Sequence, residues 1–490
     1  MPRKSSFLLL FMILLKAVYS QNSFELNFGG NNDEMLFCIK EIGNNYYVGT
    51  TYSYESHSSW RFAELVKINK YGVIIDSLKR DTSNEVFSEI RNIIPLTESE
   101  MLLIGSNRID SAEFSSVWIL KIDTLLNIIW ERKFETNKPL ITKIVTSINK
   151  YGNIIIGSTL AILSPNLQRN LFLLEINPEG DSLRSNYITS GHPISSDLES
   201  LITNGDEYRA FVQGFSNNTS FTNVLVIDST LNIRQNKPIP DMIDIYLTAQ
   251  SIDDTSYYLT GKRNFDQYSF DLYTAKFDTS GQMLFSDTYG SGIYVPDATA
   301  WVKTMSSINK NHIYVGGTRF QNEIFYICDP SFKKSLIVIN YDSLLNTNWV
   351  KTYSNDTSCY NLSVIEATKD GGCILGGMLY SDSRPEKKLD LFILKVDSLG
   401  IVTKNKHPEK EMFKVKVYPN PGSGYLRISS FQPSNGEIFR LYNLQGILQK
   451  ELQLSDNEEC INTMELVTGC YFWTVTYNEQ VVNGKWIKIK

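Results

Sequence analysis

The chain has 490 residues, 47 of them basic and 53 acidic, for a formal charge of −6 with its four histidines neutral. No clustered Lys/Arg stripe offsets this mild acidity, which excludes nucleic acid as a partner because a phosphate backbone requires one. Aromatic residues make up 12%, with 27 Tyr and 25 Phe, and the plentiful Asn, Ser, Thr and Gly complete a composition suited to strands joined by polar turns.

Arg3 and Lys4 precede an apolar run from Phe7 to Leu15, and Val18-Tyr-Ser20 offers small residues at the spacing of a cleavage site before Gln21. Residues 1–20 therefore read as a secretory signal peptide. Gln21, not cysteine, follows the cut, so no lipid anchor is expected. No later stretch approaches the roughly 20 apolar residues that span a bilayer, so no transmembrane segment is expected in the mature chain.

The long middle repeats itself. A strand ending in Gly recurs as Tyr46-Tyr-Val-Gly49, Leu102-Leu-Ile-Gly105, Ile154-Ile-Ile-Gly157, Ala210-Phe-Val-Gln-Gly214, Tyr257-Tyr-Leu-Thr-Gly261, Ile313-Tyr-Val-Gly316 and Cys373-Ile-Leu-Gly376, which makes seven copies. Each is followed by an apolar strand ending in Asp or Asn, at Asn69, Asp123, Asn177, Asp228, Asp278, Asn340 and Asp397. From Gly49 to Gly376 is 327 residues over six intervals, a mean period of about 54, close to the roughly 40 to 50 of β-propeller units with allowance for long loops. The apolar residues run continuously or alternate, which excludes helical solenoids. The fold class read here is all-β: a seven-bladed β-propeller over residues 21–408, a linker at 409–412 and a small Ig-like β-sandwich over 413–490.

The terminal Asp or Asn of the apolar strand has a local role, since its side chain accepts the backbone N–H two residues on while Gly72, Gly180, Gly281 or Gly400 takes the positive φ that closes the hairpin. Three units have no glycine there, and Asn127, Asn232 and Asn346 are expected as the left-handed residues instead. Phe24-Glu-Leu-Asn-Phe28 aligns with the outer strand Phe285-Ser-Asp-Thr-Tyr289, whereas the last repeat lacks such a strand. Residues 23–29 are therefore expected to complete the final unit and close the ring, which removes exposed edges.

The segments between the second and third strands are expected as long surface loops, at 51–62, 106–117, 158–170, 262–271, 318–334 and 378–389. Their aromatics, Tyr52, Tyr54, Trp60, Phe265, Tyr268, Phe320 and Tyr326, are the candidate ligand-binding residues, since aromatics among Asn and Ser suit a glycan or protein surface. The bland alternative is that they pack back onto the strands. Acidic residues near the starts of the first strands, Asp33, Glu34, Glu85, Asp197 and Asp297, either cap turns or gather at a channel mouth for acid/base work. HExxH, CxxC, GxSxG and a phosphate-binding glycine loop are all lacking, so no catalytic residue, metal ligand or cofactor is assigned. Cys328 and Cys359 map to one face and form the favoured disulfide, with Cys359–Cys373 competing; Cys460 and Cys470 flank a turn and are a second pair, which leaves Cys38 free.

The C-terminal 78 residues carry a motif series: Val417-Tyr-Pro-Asn-Pro-Gly422, Leu441-Tyr-Asn-Leu-Gln-Gly446, Leu466-Val-Thr-Gly-Cys-Tyr-Phe472 and Gly484-Lys-Trp-Ile-Lys-Ile-Lys490. Alternating runs at 425–429, 439–442, 448–452 and 471–476 suit a small antiparallel sandwich. The series resembles the type A C-terminal sorting domain of the type IX secretion system of Bacteroidetes-type bacteria, with Pro419, Asn420, Pro421, Gly446, Gly469, Tyr471 and Lys485 at its motif positions. The resemblance implies export through the periplasm to the outer cell surface or the medium, with the secretion machinery as partner. The middle resembles secreted bacterial propellers with a W-x-K-x-Y-G-G strand end, here Trp349-Val-Lys-Thr-Tyr353 and Phe285-Ser-Asp-Thr-Tyr-Gly290. Three readings of its function stay open: a non-catalytic binding or adhesion module for glycan or protein, a secreted polysaccharide-degrading hydrolase or lyase, and a structural component of a surface assembly.

Overall fold

The computed structural model describes residues 23–29, 34–54, 57–80, 85–109, 115–136, 140–162, 168–188, 195–216, 219–239, 247–253, 255–264, 270–290, 297–320, 334–354, 358–381, 389–402, 415–430, 437–454, 458–477 and 480–490. Among these every regular element is a β-strand. The signal-peptide reading at 1–20 and the linker at 409–412 lie outside them. The chain divides into two compact units, residues 1–404 and 405–490.

In the first unit, consecutive strands form four-stranded antiparallel meanders. Sheet one comprises Leu36–Ile42, Asn45–Tyr54, His57–Asn69 and Ile74–Lys79, and sheet two Glu85–Pro95, Glu100–Ile109, Ser115–Asp123 and Ile128–Glu135. A single parallel bridge, Arg61 to Phe87, links these two. Sheets three, four and five start at Leu140, Ser195 and Thr248 and end at Ile188, Pro238 and Tyr289. Sheet six has a broken first strand, Asp297–Thr299 and Met305–Asn309, followed by His312–Phe320, Lys334–Tyr341 and Thr347–Tyr353. Sheet seven has Ser358–Ala367, Cys373–Ser381 and Leu389–Val396, and its fourth strand is Phe24–Phe28 from the start of the chain, paired from Phe24 opposite Lys395 to Phe28 opposite Leu391. The N-terminal segment thus completes the last sheet, as its likeness to an outer strand leads one to expect.

The second and third strands of each sheet are the most buried because both their faces are covered; in Lys334–Tyr341 all eight residues are buried. Outer strands such as Ile233–Pro238 are exposed throughout. Seven apolar clusters fill the spaces between successive sheets, and the one joining Phe24, Ile374 and Ile393 of sheet seven to Leu36, Val48 and Ile68 of sheet one returns to the beginning. The arrangement is propeller-like.

The hairpin turns after the third strands dock on the preceding sheet. Asp123 Oδ1 accepts the N–H groups of Leu125 (2.9 Å) and Asn127 (2.8 Å), and Asp397 does the same for Leu399 (2.9 Å) and Ile401 (2.7 Å). In the units without glycine, however, the left-handed residue is leucine: Leu126, Leu231 and Leu345 have φ of 66°, 66° and 61°. Asn127 and Asn346 instead donate their side-chain amides to Asp123 and Asp342, and Asn232 donates to Thr230. A left-handed leucine costs about 1–2 kcal/mol, and full burial of its side chain, worth roughly 1.5–3 kcal/mol, offsets this. All three leucines are buried in the cluster shared with the preceding sheet. The turn acid of the sixth unit is Asp342, not Asn340, which is a buried residue inside the strand.

The second unit packs a three-stranded sheet, Val415–Tyr418, Tyr425–Ser430 and Glu458–Asn462, against a four-stranded one, Glu437–Tyr442, Leu448–Leu454, Gly469–Tyr477 and Gln480–Lys488. Leu426, Phe439, Trp473, Val475 and Trp486 lie in its core. Strand alternation produces this directly: Tyr471, Trp473 and Val475 face inward while Phe472 is exposed.

Candidate functional site

The segments expected as long loops are strand at both ends. Thr51–Tyr52 pair with Phe62–Ala63, and Ser106–Arg108 pair with Ser115–Val117. Tyr, Thr and Ser with their backbone groups in a ladder are good strand residues, and their polarity was the wrong guide. Tyr52 is 6% exposed, with its ring 5.7 Å from that of Phe62 and the Lys79 ammonium 4.6 Å above it, so it packs on the sheet instead of presenting a free aromatic surface. Tyr54, Trp60 and Phe320 are strand residues by backbone, and their side chains lie outside the described residues, as do Phe265, Tyr268 and Tyr326 entirely.

Cys328 also lies outside the described residues, so the Cys328–Cys359 pairing does too; Cys359 is buried opposite Tyr380. Cys373 sits at the far end of the same hairpin, opposite Ala367, which separates it from Cys359. Cys460 and Cys470 are free thiols on different sheets of the second unit, so the turn they flank does not bring them together. Cys38 is free and buried, its thiol donating to the Ile90 carbonyl and its pKa pushed by burial up to about 12.

The acidic residues expected at a channel mouth are structural where they are described. Asp297 is fully buried and takes a bidentate pair of bonds from Arg319, both 2.8 Å, on the adjacent strand of its own sheet. Burial raises its carboxyl above the ordinary value, and the guanidinium opposes that rise. Asp197 pairs with Arg169 (3.3 Å) and accepts a bond from Thr142. Glu34 donates its backbone N–H to Leu389, and the side chains of Asp33 and Glu85 lie outside the described residues.

Other charged side chains do converge. The first strands of six sheets, with the break in that of sheet six, line a cavity of about 600 Å³, reached by Lys40, Arg91, Glu199, Gln250, Lys303 and Glu366. Lys303 arrives there because the break in the first strand of sheet six lets residues 301–303 bond to the first strand of sheet seven, with Val302 donating to Ser363 at 2.8 Å. Glu366 then lies between two ammonium groups, Lys40 and Lys303, each 2.5 Å from one of its oxygens, and Ser306 donates a third bond at 3.2 Å. Burial pushes the Glu366 carboxyl up, but the two lysines outweigh it and hold the pKa down at about 2. Glu199 pairs with Lys143, and Glu89 pairs with Arg91, whose guanidinium lies 4.1 Å from the Phe37 ring. Two cations share one carboxylate at Glu366, so the cavity carries an excess of positive charge. The signal in the sequence was charged residues interrupting the apolar first strands, as Lys40 does in Leu36-Phe-Cys-Ile-Lys40, and such a residue reads equally as an edge residue.

In the second unit the Pro-Asn-Pro entry and the strand from Gly469 meet the last strand, while Gly446 lies in a separate turn. The Tyr418–Pro419 and Asn420–Pro421 peptide bonds are both cis. Trp486 Nε1 donates to the Pro419 carbonyl (2.8 Å), Asn420 donates to the Lys485 carbonyl (2.8 Å) and accepts from Ile487 N–H (3.0 Å), and Gly422 exchanges backbone bonds with Ile487 and Ile489. Any side chain at Gly422 would press on Trp486. Tyr471 donates its hydroxyl to Val467 (2.7 Å), and Gly446 takes φ of 74° in a turn whose Asn443 accepts from Gln445 and Ile447. Gly469 begins the strand that pairs with Lys488.

Residues 416–490 match a family model described as "Secretion system C-terminal sorting domain". The chain therefore carries a type IX sorting domain, which makes it cargo of that machinery and implies delivery to the cell surface or the exterior. No curated protein matches it. Among solved structures it is similar to the acylaminoacyl peptidase of Pyrococcus horikoshii (TM-score 0.43, 12% identity, 81% of this chain and 57% of that one). It is also similar to a fungal alcohol oxidase of the AA5 family in complex with copper (TM-score 0.34, 12% identity, 81% and 96%) and to an unknown function protein from Dyadobacter fermentans (TM-score 0.41, 10% identity, 64% and 94%). The chain spans 57% of the peptidase's length, and no activity is carried over from any of the three.

Proposed function

We propose that the first unit is a seven-bladed β-propeller, preceded by a cleaved signal peptide, that serves as a non-catalytic binding or adhesion module for glycan or protein at the cell surface. The second unit, an Ig-like sandwich in this reading, addresses it there through the type IX machinery after passage through the periplasm. The observation that carries the binding reading is the state of the axial carboxylates. Glycoside cleavage requires a carboxylic acid kept protonated beside an ionised partner, whereas Glu366, Glu199 and Glu89 each face a lysine or arginine and Glu366 is held at about pKa 2. A cavity of about 600 Å³ with fixed charges and Gln250 at its wall is of the size that admits a small glycan or an inserted side chain.

The test is a glycan and host-protein array probed with the full mature chain, accompanied by a reducing-sugar assay. Saturable binding without turnover is expected, and release of reducing ends would favour the hydrolase. Fusing residues 405–490 to an unrelated passenger should send that passenger out of the cell; retention would sink the addressing role.

A further inference from the structure

Each turn that docks on the preceding sheet of the first unit must fill the space beside its fourth residue, and six of the seven interfaces do so in one of two ways. Where the turn has leucine, at Leu126, Leu231 and Leu345, the leucine itself is the plug. Where it has glycine, an aromatic side chain from the preceding sheet covers it: Phe24 over Gly72, Trp130 over Gly180 and Trp349 over Gly400, each so close that any side chain there would collide. The strand registers put these three aromatics at one equivalent position, opposite Lys395, Lys121 and Asn340.

The interface between sheets four and five has neither. Its turn residue is Gly281, beside which, among the described residues, only the Tyr257 hydroxyl comes within 4 Å, and the equivalent outer-strand position, opposite Val226, is Gln235. A cleft of about 310 Å³ remains. Its floor is Tyr257 and Phe277, stacked at 5.3 Å with their planes 10° apart. Arg209 lines it, 5% exposed, at a strand position occupied in the other sheets by Tyr47, Leu102, Ile155, Tyr258, Tyr314 and Ile374. Its guanidinium lies 5.2 Å from the Tyr257 ring and donates to the Thr279 carbonyl, while its buried Nε has no hydrogen-bond partner among the described residues. Lys237, Glu207 and Ser280 complete the rim, so the cleft carries one more cation than anion.

We infer that this cleft is a binding site for a carboxylate-bearing sugar of one or two rings, of which a hexuronate is the simplest. Arg209 and Lys237 take the carboxylate, the stacked aromatic floor takes the C–H face of the ring, and Gln235, Ser280 and Glu207 take hydroxyls. Among the described residues, a buried guanidinium with an unspent donor at the one interface that lacks a plug is the combination that points to a ligand. The site is separate from the axial cavity and stands independently of the function proposed for it.

The experiment is calorimetric titration of the full chain with sodium glucuronate and sodium galacturonate, with glucose and an acidic peptide as comparisons. Saturable binding of at least one uronate is expected, with glucose at least tenfold weaker. Gln235→Trp supplies the missing plug, so it should abolish uronate binding while the melting temperature holds or rises; Lys237→Met, at an exposed position, should weaken binding several-fold. Lys303→Met, in the axial cavity, should leave it unchanged. The inference is overturned if neither uronate binds, if glucose or the acidic peptide binds as well, if Gln235→Trp binds like the parent, or if Lys303→Met rather than Gln235→Trp removes binding. In that last case the axial cavity remains a binding site and the cleft does not.

Discussion

The ring of sheets and the sorting module use the same turn for different ends. Asp397 in the first unit and Asn443 in the second each accept the N–H groups two and four residues on, and Gly400 and Gly446 take φ of 70° and 74°. Around Gly400 stand Trp349 and Lys351, whereas no described residue lies within 4 Å of a side chain placed at Gly446, and its neighbours Leu444, Ile447 and Leu448 are exposed. The hairpin chemistry is local and identical. What differs is that in the ring six of the seven turns after the third strands are also packing elements between sheets, so their left-handed residue answers to a neighbour far away in sequence.

The largest effect that would break this comparison comes at the closing seam. Removing residues 23–29 strips five ladder pairs from Leu389–Val396 and takes Phe24 out of its cluster, for which the side chain alone is worth about 3–5 kcal/mol. The first unit is expected to lose its cooperative thermal transition while that of the second is unmoved. Two unchanged transitions in calorimetry would show that the ring does not depend on closure.

Next is the double variant Lys40→Met/Lys303→Met. Leaving Glu366 buried without a cation costs about 3–5 kcal/mol. In the parent the carboxyl is depressed, so its contribution is fully present above its ordinary value of 4.5 and is lost as pH falls towards about 2; stability should be flat from neutral down to mild acid. In the variant, burial acts without the lysines and raises the folded pKa, so stability should instead fall as pH rises above the ordinary value of 4.5. Denaturant midpoints measured across this range decide it, and equal slopes for the two proteins would refute the assignment.

The smallest effect is the sharpest on the turns themselves. Gly446→Ala should cost about 1–2 kcal/mol, the strain of a left-handed residue alone. Gly400→Ala must add a collision with Trp349 and should cost distinctly more, read as a larger drop in the transition of its own unit. Equal losses at the two sites would mean that docking on the neighbouring sheet is not what distinguishes the two units.

Much of the fold could be read from residue patterns. The recurring pair of apolar strands and the outer-strand look of Phe24–Phe28 are local signals that fall where expected, although the second strands run on past glycines such as Gly49 and Gly105 and the turn acid of the sixth unit is Asp342 instead of Asn340. The functional geometry was less accessible. Tyr52 reads as a loop aromatic but is covered by Phe62 and Lys79, and Asp297 reads as a mouth carboxylate but is spent on Arg319. Lys303 and Glu366, 63 residues apart, meet only because the first strand of sheet six breaks and borrows the backbone of sheet seven.

The sequence by itself determined what depends on neighbours along the chain: strand alternation, turn closure by a side chain accepting N–H groups two and four residues on, and the sorting motifs. The tertiary structure alone decided what depends on neighbours across the ring. Leucine rather than asparagine takes the left-handed position because burial against the preceding sheet outweighs the backbone strain. A cleft opens beside Gly281 because the equivalent outer-strand position, 46 residues away on another sheet, holds Gln235 where three other interfaces hold a covering aromatic. Backbone preferences act within a few residues, whereas packing and charge pairing are settled only when distant strands meet.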